Sequence, residues 1–200
     1  MAEKAGPMDV LWARLAAEPP ESVVRRAGAP YDAAAQAYGV PLCGLALKVL
    51  PRHKRVDGPD GPCGYEVTLV CVQYLLTAQD EPPGGERVNP RSLPHGDFFF
   101  RGPHDLPTGK LEKAFGRNVD AFRKAAETVG GRAVAAGDAA YEFAALPRAA
   151  VTIVLWAADE EFPARAQVLL DKAAGRQLPL DALWVLCNVL AKRLVAAAAK

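Results

Sequence analysis

The stretch Ala150 to Ala157, AVTIVLWA, constrains the fold of this 200-residue chain more than any other segment. It is almost wholly apolar and rich in branched side chains, the pattern of a central strand covered on both faces. Pro147, just upstream, predicts a tight connection from a strand over Ala140 to Leu146, so antiparallel pairing follows. Gln167 to Asp171 reads as a third strand.

The flanking segments read mainly as helices. Met8 to Ala17 brings Val10, Leu11, Trp12 and Leu15 near one helical face, with Asp9 as its cap and Pro19-Pro20 as its stop. Glu21 to Ala27 forms a second short helix closed by Gly28, so residues 1–30 make a helical lead-in. Tyr38 to Leu42 and Leu45 to Pro51 then alternate as two strands joined through Cys43-Gly44. The turn-rich run from His53 to Gly64 is expected as an exposed loop. Tyr65 to Ala78 has a strand-like composition, but its length and apolar stripe favour a buried helix. Thr108 is expected to cap a helix carrying Leu111 and Phe115. Asn118 is expected to start another, which Gly130-Gly131 ends. Asp181 is expected to cap the last helix, docked through Leu183, Trp184, Leu186, Cys187, Leu190 and Leu194. The fold class expected is α+β: one domain over residues 1–200, with an antiparallel or mixed sheet backed by helices and ending in a C-terminal helix.

Charge and cysteine usage narrow the function classes. With 24 basic and 23 acidic residues the net charge is +1. A non-specific nucleic-acid binder or a polybasic membrane anchor would need a basic surplus. No apolar run reaches membrane-spanning length, and the first ten residues are too polar for a secretory leader, so a cytoplasmic location is expected. The four cysteines form no CxxC pair, which gives no motif for a metal site. Cys71 and Cys187 sit in apolar runs as small core residues, whereas Cys43 and Cys63 lie in turn-like settings that leave room for a thiol to face solvent. The glycine-rich and nucleophile signatures of dinucleotide, P-loop and serine-hydrolase enzymes are missing.

Residues 79–109 carry the candidate chemistry. A connection this long, rich in proline and glycine, is unusual in a compact domain and often functional. It holds His95, Asp97, Arg101 and His104 close together. An imidazole beside a carboxylate can act as acid, base or metal ligand, although the same residues also suit a surface turn. In Phe98-Phe99-Phe100 at least two rings are expected inside, and one could wall a flat ligand whose carboxylate Arg101 holds. Asp159-Glu160-Glu161 follows the central strand at Trp156, placed for binding or acid–base work, or simply for a charged turn. Asp171 carries the same ambiguity.

Several runs together resemble a known family. They are Arg25 to Tyr31, Leu93 to Phe100, Leu146-Pro147-Arg148, Leu155-Trp156, Asp159 to Ala164 and Val168 to Asp171. The family is bacterial and archaeal and is designated domain-of-unknown-function family 3786; the likeness extends from about Leu11 to Leu194. Some members are fused to a cysteine-rich iron–sulfur module, so the resemblance implies corrinoid, one-carbon or other low-potential anaerobic metabolism. That module is missing here, and the resemblance carries over no catalytic residue.

The expected function is a cytosolic module binding a small organic ligand or cofactor. Phe99, Arg101, Trp156, Asp159 and Glu161 are the binding candidates, and no metal or cofactor is specified. One alternative is an enzyme using His95 or His104 as base with Asp97 or Glu160 as partner. Another is an accessory protein docking a redox partner through the acidic turn. The first two require the His95–His104 loop and the Asp159–Glu161 turn to border a shared hollow.

Overall fold

In the computed structural model, which describes residues 6–199, AVTIVLWA is the middle strand of a five-stranded sheet. That sheet contains β6 (Arg87–Val88), β7 (Arg132–Ala133), β8 (Ala139–Leu146), β9 (Ala149–Trp156) and β10 (Arg165–Asp171), in the order β6-β10-β9-β8-β7. Every pairing is antiparallel. A second antiparallel sheet is a meander of β1 (Tyr31–Asp32), β2 (Ala37–Leu42), β3 (Leu45–Leu50), β4 (Arg55–Gly58) and β5 (Gly61–Pro62). The fold is therefore α+β, as expected, with two sheets where one was read.

Alternation along the strands separates the faces. Tyr141, Phe143, Val151, Ile153, Leu155, Val168 and Leu170 belong to the main core. Thr152 and Val154 point the other way, yet each is only 2% exposed. Helices cover the first face, while side chains and a loop cover the second. Gly137, at φ 52°, lies against the Leu155 carbonyl and the Val154 side chain, where a Cβ would have no room. Beside Thr152, its cross-strand partner Glu142 accepts from Arg87 and Arg132. Burial of Glu142 opposes ionisation, but the two guanidiniums outweigh it and hold the carboxyl below its ordinary value.

The helices are α1 (Pro7–Ala17), α2 (Pro20–Ala27), α3 (Tyr65–Thr77), α4 (Gly96–Phe99), α5 (Thr108–Phe115), α6 (Val119–Thr128), α7 (Ala174–Gln177) and α8 (Leu180–Ala198). The stretch with strand-like composition is helical, as its length implied: α3 buries Val70, Cys71, Val72, Tyr74, Leu75 and Leu76. Gly28 ends α2 in the left-handed conformation, and Asn118 caps α6 through the Ala121 amide. Three expected caps sit inside their helices instead. Asp9 is the third helical residue of α1 and reaches back to the Gly6 amide at 3.1 Å. Thr108 and Asp181 follow Pro107 and Pro179, which occupy the cap positions. Proline fits the start of a helix because the first turn has no use for its missing donor. The run from His53 to Gly64 is also not a plain loop. Its single buried apolar residue, Val56, pairs with Val49 and builds β4, which then pairs with β5.

Two polar junctions fasten the layers. The Tyr74 hydroxyl, fully buried, donates to the Ala27 carbonyl at 2.6 Å and accepts from the Arg148 amide at 3.0 Å. It joins α2, α3 and the β8–β9 turn. Alongside it, Arg26 donates twice to the Leu75 carbonyl, at 3.1 and 2.9 Å, and so closes the end of α3. The second junction is the β2–β3 turn. The Cys43 amide donates to Ala145 on β8 at 2.9 Å, and its carbonyl accepts from Arg193 on α8 at 2.8 Å. Gly44 backs directly onto the Val129 carbonyl, which leaves no space for a side chain. Cys43 is consequently 1% exposed, against the expectation of an accessible thiol, while Cys63 is half-buried. Burial pushes the Cys43 and Cys187 thiols up to about 12 and the Cys71 thiol higher still.

Replacing Tyr74 by Phe leaves a buried carbonyl and a buried amide without their shared partner. Denaturant unfolding should show a loss of about 1–3 kcal/mol. Thiol titration of the native protein near neutral pH should modify Cys63 alone, and all four cysteines should react in denaturant. The buried thiols keep their protons in the fold more tightly than in the unfolded chain. Stability should therefore decline as pH rises from the ordinary thiol value of 9.0 toward 12.

Candidate functional site

The first half of the long connection is tied down by buried polar groups. Asp171, 4% exposed, accepts from Gly84 at 3.2 Å, Gly85 at 2.6 Å and Ala173 at 2.9 Å. Gln177, fully buried, accepts from the Gln79 amide and donates to the Glu81 carbonyl. The Asp171 carboxylate thus anchors a loop, and its lone pairs are used in doing so.

The second half folds on itself. Asn89 caps the turn Pro90–Ser92, and His95 adopts φ 62° before the single helical turn of α4. Gly96 lies against the Pro90 carbonyl with no space for a Cβ. Because the chain is wound here and not extended, His95 and Asp97 do not act as a pair. Asp97 is held by Arg101, whose Nη2 lies 2.7 and 2.6 Å from its two oxygens. That hydrogen-bonded guanidinium keeps the Asp97 carboxyl below its usual value. The three phenylalanines divide as the sequence suggested: Phe100 is buried, Phe99 half-buried and Phe98 90% exposed. His104 stacks on Phe99 at 4.4 Å and meets the edge of Trp184 at 5.4 Å. The Trp184 indole donates to the Asp105 carbonyl at 3.0 Å, so this aromatic group pins the loop to α8.

In the connection from β9 to β10, Asp159 builds its own turn. Its carboxylate accepts from the Phe162 amide at 2.7 Å and the Glu161 amide at 2.9 Å. Those two N–H groups hold its carboxyl below the ordinary range. Glu160 and Glu161 remain exposed, followed by Phe162 at 65%.

Two clefts border these segments. The smaller, about 380 Å³, lies between the loop and the outer edge of β10, lined by Asn89, Arg91, Phe100, Asp105, Thr108 and Gln167 among others. Arg91 donates to the Phe100 carbonyl at 3.0 Å and stands 3.6 Å from Asp105. At the β10 edge the Ala166 amide donates to the Glu112 carboxylate at 2.9 Å. The larger cleft, about 610 Å³, is lined by Asp138, Trp156, Asp159, Phe162 and Pro163 among others. No residue of 159–161 lines the first cleft, and none of 95–104 lines the second. Arg165 lines both, and its guanidinium sits over the Trp156 ring at 5.2 Å. The loop and the acidic turn therefore border neighbouring hollows divided by Arg165, not one shared hollow, so the site expected across the two segments does not form and a ligand seat has to be built on Arg165 instead.

Of the candidates read from the sequence, Trp156 and Asp159 line a cleft. His95, Asp97, Phe99, Arg101, His104, Glu160 and Glu161 line neither of the two. Arg91, Arg165 and Gln167 were not singled out from the sequence. The strand register contained the missing signal, since Arg165 lies opposite Trp156 once β9 and β10 pair. Chemically, the arrangement offers a cation on an aromatic face and a second guanidinium in the adjoining cleft. Among the described residues no imidazole is hydrogen-bonded to a carboxylate, and no cluster of three or more His, Cys, Asp or Glu side chains could hold a metal ion. No helix among them is long and apolar enough to cross a membrane.

Substituting Gly96 by Ala forces a Cβ into the Pro90 carbonyl, so the α4 turn must move away. Amide hydrogen exchange should accelerate across residues 89–105 and stay unchanged in β2 and β3.

Neither the curated proteins nor the solved structures include a match to this chain. The model of the family described as "Domain of unknown function (DUF3786)" matches residues 19–193, nearly the whole length, and the chain belongs to that family.

Proposed function

We propose that the protein is a binding module for a small, partly planar organic anion seated across Arg165. One observation carries the reading: the Arg165 guanidinium on the face of Trp156, at the divide between two clefts. A planar ring can replace or extend that stack, because guanidinium and indole both present flat, polarisable faces. Arg91, in the adjoining cleft, suits an acidic substituent of the same ligand. Asp138 and Asp159 line the wider cleft but already accept backbone amides, at 2.8 Å from Ala157 for Asp138. They therefore favour donor groups on the ligand rim over a second anion.

The expectation of low-potential anaerobic metabolism, carried by the resemblance in the sequence, would make corrinoids, haem and flavins the flat cofactors to try. Clefts of about 380 and 610 Å³ suit a flavin-sized ring with an anionic tail better than a whole corrinoid. Binding is preferred to catalysis because Asp97 is held by Arg101 and none of His95, His104 and Glu160 lines either cleft.

Titration with flavin mononucleotide, haem and a corrinoid, followed by calorimetry and indole fluorescence, tests the reading. One of the three should bind and quench Trp156. Arg165→Ala should weaken that binding by about tenfold, the equivalent of losing ~1.4 kcal/mol of cation–aromatic and ionic contact. Phe98→Ala, at a position that lines neither cleft, should leave it unchanged. Silence across the panel, or equal binding by Arg165→Ala, would overturn the proposal.

A further inference from the structure

We infer that the groove between α5 and the C-terminal half of α8 docks an acidic, amphipathic α-helix of a partner protein. The groove, about 590 Å³, shares no lining residue with either cleft at Arg165. Its walls are two helical stripes. Lys110, Lys113 and Ala114 fall at i, i+3 and i+4 of α5, while Ala191 and Val195 on α8 and Ala199, which caps it, recur every fourth residue. Val195 is 37% exposed on this surface. Alanines on the floor let the backbone of a third helix approach closely, and Val195 gives its apolar side chains something to pack against.

Charge selects the occupant. The three charged residues lining the groove are the lysines 110, 113 and 192, and no carboxylate lines it. Lys110 donates to the Asn188 side chain at 3.0 Å and Lys192 pairs with Glu66 at 2.6 Å. Lys113 forms no salt bridge among the described residues, although the chain as a whole is nearly neutral. Arg193, in the adjoining cleft that also contains Lys192 and Ala196, continues the positive character beyond the groove. A helix with an apolar stripe flanked by glutamates would meet complementary charge at Lys113 and Lys110 on the α5 rim, and its glutamates could share Lys192 with Glu66 on the other. A second copy of this chain docking by the same face would set lysines against lysines.

The test uses fluorescence anisotropy of a labelled synthetic helix, with a leucine stripe flanked by glutamates, against the full chain. A control helix carries lysine flanks. The acidic helix should bind and the lysine helix should not, with affinity falling as salt rises. Lys113→Glu sets like charges face to face, and Ala196→Trp fills an exposed position beside the floor. Each should weaken binding by about tenfold while circular dichroism stays native. Equal binding of both helices, no binding, or binding unchanged in both variants overturns the inference. So does attachment to anionic phospholipid vesicles in place of the helix, or self-association abolished by Ala196→Trp.

Discussion

The pairing of β9 with β10 decides what the candidate site looks like. Arg165 stands opposite Trp156, and from there the partners run without interruption to Leu170 opposite Val151. In an antiparallel ladder a slip of one residue would turn every side chain to the opposite face. It would drive Arg165 into the core and bring Val168 out. The buried set of Val151, Ile153, Leu155, Val168 and Leu170 forbids that slip, so packing on the inner face fixes the cation–aromatic contact on the outer one.

The two sheets are held as one body by a turn that is plugged into the other layer. Cys43 and Gly44 reach β8, Val129 and α8 within two residues. A left-handed conformation at Cys43, φ 47°, is tolerated because both of its backbone polar groups are bonded and its side chain is sealed from water. One continuous apolar cluster then extends from Trp12 and Leu15 on α1 to Leu194 on α8.

Long periodic or uniformly apolar segments were legible in the sequence. AVTIVLWA is the middle strand, α3 is the helix its length implies, and α8 docks through the leucines expected of it. Local features that depend on distant partners were not. Val56 builds a strand only because Val49 is there to pair with it, and Cys43 is buried only because β8 and α8 close over the turn. The candidate loop shows the same limit. Its composition marked it as unusual, yet the winding of α4 engaged Asp97 with Arg101, and the stacking of His104 turned a candidate base into a fastener. Arg165 is illegible in the sequence because a lone arginine beside a proline turn has no pattern until the hairpin register brings it opposite Trp156.

The outer edge of β10 has a consequence for the chain in company with its own copies. β6 covers that edge at two residues only, pairing with Leu170 and Asp171. Beyond it comes Pro90, which has no amide to offer, and at Ala166 the outward amide is already held by Glu112. A foreign strand arriving there finds one hydrogen taken and a carboxylate standing in its path. The sheet thus has no open place on this side for another strand to extend it.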